Sequence, residues 1–212
     1  MAKELPRHLL DALLQARDIG DLSPGELIEY FRHEPDISSF LPDGTFTTDP
    51  RNGDRILFNA ARARRPQDNQ PAGASQLAEE KPCIICQGQT TGVVDVAELS
   101  QGFTFINKNL FPVLFPFAHK QTAGNSSDAG KVSGLHFLQW TSSLHDKDWH
   151  NMPAADLIIV MERLAALERK LILDSAGLLT GHEAPDGEAQ VAGSVLITKN
   201  YGRLVGGSLI HG

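Results

Sequence analysis

The sequence predicts an α+β domain in which a mostly antiparallel sheet carries helices packed on one side. Strand-like segments dominate the middle of the chain, and in one of them Phe103 and Phe105 alternate with other residues. A single long helix with a periodic apolar stripe separates the last two strand-like segments, which is typical of mixed antiparallel architectures. The 212 residues suffice for one sizeable domain with its own core, or one domain and an appendage.

Composition and charge argue against some kinds of binding partner. Hydrophobic residues make up 41% of the chain and charged residues 21%, as in ordinary soluble proteins. A formal net charge of −7 argues against a nucleic-acid-binding surface. The chain has no apolar run near the ~18 residues that span a bilayer, and its start lacks the apolar core of a secretory signal. We therefore expect a cytoplasmic protein with no membrane partner.

Residues 1–45 are predicted to form a helical extension without chemical function, and residues 46–212 one domain. Leucines at positions 9, 10, 13 and 14 have helical spacing, and Gly20 is suited to the end of that helix. Ser23 and Glu26 form a capping box, with Pro24 at the first helical position, and predict a second helix through Phe31.

The rest of the chain is predicted to alternate strands with loops around one long helix. Strand signals lie at residues 55–59, 92–96, 102–107, 134–142 and 191–198, and polar, Gly-containing loops at 67–82 and 119–133. The long helix is expected to begin at Pro153 and to end at Gly177. Its predicted buried stripe consists of Leu157, Ile158, Met161, Leu164, Leu167 and Leu171.

The only two cysteines form a Cys-x-x-Cys pair at Cys83 and Cys86. Two thiolates at this spacing can chelate one metal ion, and a redox pair is the alternative. A four-coordinate site needs two more ligands, which spacing alone does not choose among the eight histidines: His8, His33, His119, His136, His145, His150, His182 and His211.

Two short motifs are suited to phosphate groups. Arg62, Arg64 and Arg65 concentrate positive charge in an acidic chain, and guanidinium groups fit phosphate oxygens, although a solvated charge run is the plainer interpretation. The sequence Gly206-Gly207-Ser208 offers backbone N–H groups and a hydroxyl to an anion, although most such tripeptides are simple turns.

Taken in order, these motifs resemble the galactose-1-phosphate uridylyltransferase family of the histidine-triad superfamily. The resemblance runs from about residue 49 to Gly212 and leaves the first 45 residues outside. The segments that carry it are residues 49–57, 62–66, 105–114 and 142–147, the Cys-x-x-Cys pair, and Asn200, Gly202, Gly206, Ser208 and His211. It implies a histidine-triad-like fold.

The resemblance implies a structural zinc site made of Cys83, Cys86, His145 and His211. It also implies contacts with a nucleotide from two groups of residues. The first group comprises Arg62, Ala63, Arg64, Arg65 and Asn107, and the second Asn200, Gly206, Gly207 and Ser208.

The activity that the resemblance implies is nucleotidyl transfer between nucleoside diphosphate sugars and sugar 1-phosphates through a nucleotidyl-histidine. In this register His211 is the metal ligand and the nucleophile is the residue after Gly212, so we expect this chain to be an inactive N-terminal fragment with an open sheet edge and a tendency to dimerise. A register with His211 as nucleophile would leave the metal site one ligand short. The alternatives are a phosphorylase of ADP-sugars or dinucleoside polyphosphates, and a non-catalytic, zinc-stabilised nucleotide-binding module.

Overall fold

A computed structural model describes residues 3–64, 82–116, 133–174, 195–200 and 211. In these ranges the helices are α1 (Arg7–Asp11), α2 (Pro24–Arg32), α3 (Pro35–Ser38) and α4 (Ala154–Arg169). The strands are β1 (Phe46–Thr48), β2 (Arg55–Leu57), β3 (Val93–Glu98), β4 (Phe103–Lys108) and β5 (Phe137–Trp140). None of the helices described is long and apolar enough to cross a membrane.

The strands form two antiparallel sheets. Strands β1 and β2 make a hairpin, and β3, β4 and β5 make a three-stranded sheet with β4 in the centre. Val96 faces Phe105 in the first ladder of this sheet, and Phe105 faces Trp140 in the second. The α+β prediction is therefore confirmed, and the strands predicted at 92–96, 102–107 and 134–142 fall on β3, β4 and β5.

Strand β4 is buried on both faces. Its odd-numbered Phe103 and Phe105 belong to one apolar cluster and Ile106 to another, as expected when successive side chains point to opposite faces. Helix α1 contributes Leu10 to the first cluster, whereas α2 and α4 contribute Leu27 and Leu167 to the second. The two longer helices thus share one face, but the prediction that helices cover only one side is wrong.

The first predicted helix is shorter than expected. Helix α1 ends at Asp11, and the following residues run beside strand β3. The Val93 N–H donates to the Leu13 carbonyl at 2.8 Å, and the Gln15 N–H donates to the Val93 carbonyl at 2.8 Å. An edge strand has unpaired backbone groups, and pairing with them stabilises residues 13–17 more than continuing the helix would. This segment also covers the β3 edge of the sheet.

Helix α4 begins after Pro153 as predicted, but its buried stripe differs from the prediction. Ile158 and Met161 are exposed, while Asp156 and Val160 are buried. Polar contacts orient the helix: the Asp156 carboxylate accepts hydrogen bonds from the backbone and hydroxyl of Ser100, at 2.9 and 2.6 Å. The helix continues as a π-helical turn, Lys170–Asp174, and its predicted end at Gly177 lies outside the described residues.

The described part of the last predicted strand, residues 195–198, is not a strand. Residues 195–200 have no regular secondary structure, and residues 191–194 lie outside the described ranges. Leu196 is exposed, so the apolar pattern of this segment does not mark a buried strand. Lys199 attaches it to the domain, because its ammonium group lies 2.7 Å from the Asp148 carboxylate.

Candidate metal centre

Four side chains from distant parts of the chain meet at one end of the three-stranded sheet. The Sγ atoms of Cys83 and Cys86 and one ring nitrogen each of His145 and His211 all lie within 4.8 Å of one another. His211 Nδ1 is 3.6 Å from each sulfur, and His145 Nδ1 is 3.6 Å from Cys86 Sγ. This group can bind a metal ion, and it is the only such Cys/His cluster among the described residues.

A tight turn presents the two cysteines. The Gln87 N–H donates to the Cys83 carbonyl, and the Gly88 N–H to the Ile85 carbonyl, at 3.2 and 2.8 Å. Gly88 has φ +73°, and a Cβ there would lie 3.1 Å from Leu9, so glycine permits both the backbone turn and the close contact. Ile85, between the cysteines, is buried in the first apolar cluster and anchors the turn on the sheet.

His145 lies in a turn that follows strand β5, 59 residues after Cys86. Its backbone N–H donates to the Lys3 carbonyl at 2.8 Å. The segment that carries the ligand is therefore held by the beginning of the chain.

His211 is buried, and its ring orientation is fixed from two sides. Nε2 donates a hydrogen bond to the Ser142 carbonyl at 2.9 Å, which leaves Nδ1 unprotonated and directed at the sulfurs. The indole of Trp140 packs edge-on against the imidazole, with ring centroids 5.4 Å apart. A carbonyl that holds the distal nitrogen is the usual support of a metal-bound histidine.

Burial sets the protonation states of the cluster. It raises the pKa of the Cys86 thiol to about 12, and the nearby Cys83 adds to the effect. Burial also lowers the pKa of His211 to about 4, with a smaller contribution from repulsion by His145. At neutral pH the imidazole of His211 is thus ready to act as a ligand, whereas the Cys86 thiolate needs a neighbouring cation.

The residues predicted to contact a nucleotide are not members of the Cys/His group. Arg62 and Arg64 lie on a 3-10 turn, Ala60–Arg64, where Arg62 donates to the Phe111 carbonyl at 2.6 Å and Arg64 to the Ser39 carbonyl at 3.2 Å. Ala63 between them is exposed, as is Asn200. The predicted contacts Arg65, Gly206, Gly207 and Ser208 lie outside the described residues.

Asn107 is a buried residue of strand β4. Its side-chain amide donates to Thr90 Oγ1 at 2.7 Å and to Thr91 Oγ1 at 2.9 Å, and its Oδ1 accepts the Trp140 indole N–H at 2.8 Å. Because Trp140 contacts His211, Asn107 is linked to the metal cluster through that indole. The structure gives this residue protein partners on both sides of its amide.

Sequence reasoning did not identify Ser142, Trp140 or Lys3 as supports of the cluster. Ser142 and Lys3 act through backbone carbonyls, which any residue possesses, so no residue type marks them. The one available signal is a lone tryptophan in a predicted strand that leads to a histidine.

Comparisons of the chain with models of protein families, with curated proteins and with solved structures give no match.

Proposed function

We propose that Cys83, Cys86, His145 and His211 bind one zinc ion, and that the protein is a histidine-triad-like nucleotidyltransferase acting on nucleoside diphosphate sugars and sugar 1-phosphates. The observation that carries the proposal is the meeting of these four side chains. The resemblance selects His145 and His211 from eight histidines, and these two join the cysteines. The resemblance and the geometry thus point to the same two histidines, which supports the proposal.

The sulfur–nitrogen distances fit a tetrahedral ion such as zinc. Zinc bonds of about 2.3 Å to sulfur and about 2.05 Å to nitrogen, at tetrahedral angles, separate a sulfur from a nitrogen by about 3.6 Å. The three sulfur–nitrogen distances given above are each 3.6 Å. Two thiolates with two imidazoles are a common structural zinc set, and no open coordination position is needed for a structural role.

In this proposal the metal centre is structural, and the chain around it positions the nucleotide. Zinc, when bound, supplies a crosslink between three segments of the chain. The Ser142 carbonyl holds His211, and in the sequence the Gly206-Gly207-Ser208 motif precedes this histidine by three residues. Arg64 is exposed and provides guanidinium donors to an anionic ligand.

Metal content tests the first part of the proposal. We expect about one zinc per chain in the purified protein, lost in Cys83→Ser and His145→Ala. His8→Ala is the control, because His8 is exposed and outside the cluster. Zinc that survives both ligand substitutions, or an equal loss in the control, would contradict the assignment.

Nucleotide binding tests the second part. With zinc bound, UDP-glucose should raise the melting temperature of the protein, and Arg64→Ala should weaken that binding about tenfold. Arg17→Ala is the control, since Arg17 is exposed on another segment. Preference for ADP-glucose would favour the phosphorylase alternative. The absence of any nucleotide effect would contradict the nucleotidyltransferase, the phosphorylase and the nucleotide-binding module alike.

Chemistry is tested by covalent labelling. Because the resemblance makes His211 a metal ligand and not the nucleophile, we expect UDP-glucose to form no acid-labile nucleotidyl adduct at His211. An adduct mapped to His211 by mass spectrometry would refute that register and would make His211 the first candidate for the nucleophile.

A further inference from the structure

Residues 3–5 form a short antiparallel pairing with residues 143–145. The Leu5 N–H donates to the Ser143 carbonyl at 2.8 Å, and the His145 N–H donates to the Lys3 carbonyl at 2.8 Å. Glu4 and Leu144 face each other between these bonds. The pairing lies outside the three-stranded sheet and ends on the metal-binding residue His145.

The same segment is anchored beside the other ligands. Leu5 is fully buried, and its apolar cluster contains Ile85 from the cysteine turn and Trp140, the indole that contacts His211. Cys83 packs against this cluster. Leu5 therefore packs in the same apolar cluster as the cysteine turn and the tryptophan that contacts His211.

We propose that residues 3–5 are a positioning segment that holds His145 in its metal-binding place and thereby sets the metal affinity of the centre. The inference deepens the proposed zinc site and rests on it. It gives a role to residues outside the resemblance, which were predicted to belong to a helical extension without chemical function.

Residues 3–5 can affect metal affinity because each metal-binding residue is held by different hydrogen bonds. The cysteines are held by hydrogen bonds within their own turn, and His211 by the Ser142 carbonyl. His145 follows the end of β5, and its N–H bond to Lys3 ties its backbone to another segment. If that segment is removed, His145 keeps only the bonds of its own turn, such as that from the Lys147 N–H to the Leu144 carbonyl at 3.2 Å. More of its ordering must then occur when the metal binds, and the entropy of that ordering is subtracted from the binding free energy.

Coupling of this kind is reciprocal. If the docked segment strengthens metal binding, the bound metal must strengthen docking of the segment by the same factor. Metal should therefore slow hydrogen exchange at the Leu5 amide in the full chain, where no residue has been altered.

The experiment compares zinc affinity, by competition with a chromogenic chelator, between the full chain and a variant lacking residues 2–5. We expect the deletion to weaken zinc binding by about tenfold or more, as losing the support of a metal ligand commonly does. Leu10→Ala is the matched control: Leu10 is fully buried in the same cluster but makes no bond to residues 143–145. It should lose stability with less than about a threefold change in zinc affinity. Lys3→Ala leaves the backbone carbonyl in place and removes only an exposed ion pair with Asp146, 3.3 Å long, so it should bind zinc like the full chain.

The outcomes separate this inference from the zinc proposal. Unchanged zinc affinity in the deletion, or Leu5 exchange that ignores the metal, would overturn the positioning role alone. A full chain that takes up no zinc would overturn the metal centre and this inference together. If the deletion variant does not fold, the exchange measurement on the full chain still decides.

Discussion

Replacing Glu34 with glutamine should destabilise the protein more than replacing both Glu34 and Lys108. The Lys108 side chain is fully buried, and its ammonium nitrogen lies 2.5 Å from Glu34 Oε2 and 3.0 Å from the Tyr30 carbonyl. The bond joins the N-terminal helices to central strand β4, next to Asn107. Burial lowers the pKa of Lys108, and the contact with Glu34 opposes that shift.

The expected magnitudes follow from what each substitution leaves behind. Glu34→Gln leaves a buried ammonium group with a carbonyl but no counter-charge, which costs about 4 kcal/mol of unfolding free energy. Lys108→Met leaves Glu34, 9% exposed, with the Gly92 N–H at 3.2 Å, and we expect a smaller cost of about 2 kcal/mol. The double variant removes both charges and should cost about 1–2 kcal/mol, so the coupling energy should exceed about 3 kcal/mol.

Urea unfolding of the four proteins measures this cycle. The samples are kept in EDTA so that metal binding does not add to stability. Tryptophan fluorescence, to which the buried Trp140 of β5 contributes, reports unfolding. If the two single effects simply add, or if Glu34→Gln costs less than about 1 kcal/mol, then Lys108 does not depend on Glu34 and the reasoning is refuted.

Three further predictions concern other parts of the molecule. Gly102→Ala should cost about 2 kcal/mol or more in urea unfolding, because φ is +71° and the new Cβ would collide with Ser143 Oγ. Gly53→Ala is the control, since its φ of +79° is similar but the space around it is open, and an equal cost in both variants would contradict the effect of the collision. Burial lowers the pKa of His136 to about 4, so its neutral form contributes stability above the unfolded pKa of about 6.5. This contribution, about 3 kcal/mol of unfolding free energy, is lost as the pH falls from 6.5 to 4. The unfolding free energy of His136→Asn should lack this dependence on pH, and an unchanged dependence would contradict the prediction. Because the pKa of Cys86 is raised to about 12, zinc binding at pH 7 should release at least one proton per ion. Calorimetry in buffers of different ionisation enthalpy measures the number of protons released. Zinc binding without proton release would show that the Cys86 thiol is not a ligand.

The elements whose causes are local were predicted well. The capping box of Ser23 and Glu26 is confirmed, because both of its hydrogen bonds join residues three positions apart. Helix α4 begins where Pro153 indicated, and β3 and β4 lie where β-branched and aromatic residues recur. Short-range chemistry is sufficient for such elements.

The orientation of α4 was not predicted, because apolar residues occupy more of its circumference than one buried face needs. Ion pairs with distant residues determine which face of α4 packs on the domain. Arg163 donates to the Asp95 carboxylate on β3 at 2.5 and 2.8 Å and also contacts Asp18. These bonds turn Val160 inward and leave Ile158 at the surface. A periodic pattern alone does not contain this information.

The sequence by itself determined the mixed α+β character, the local caps and strand positions, and a pair of thiols able to chelate an ion. Residue spacing left the histidine ligands open; the resemblance named His145 and His211, and the tertiary structure brings both to those thiols. Only the tertiary structure decided how far the first helix continues, and that residues 3–5 pair with the segment that carries His145. The physical reason is that burial and backbone pairing between distant segments depend on where the chain returns in space, and the order of residues along one segment does not specify that return.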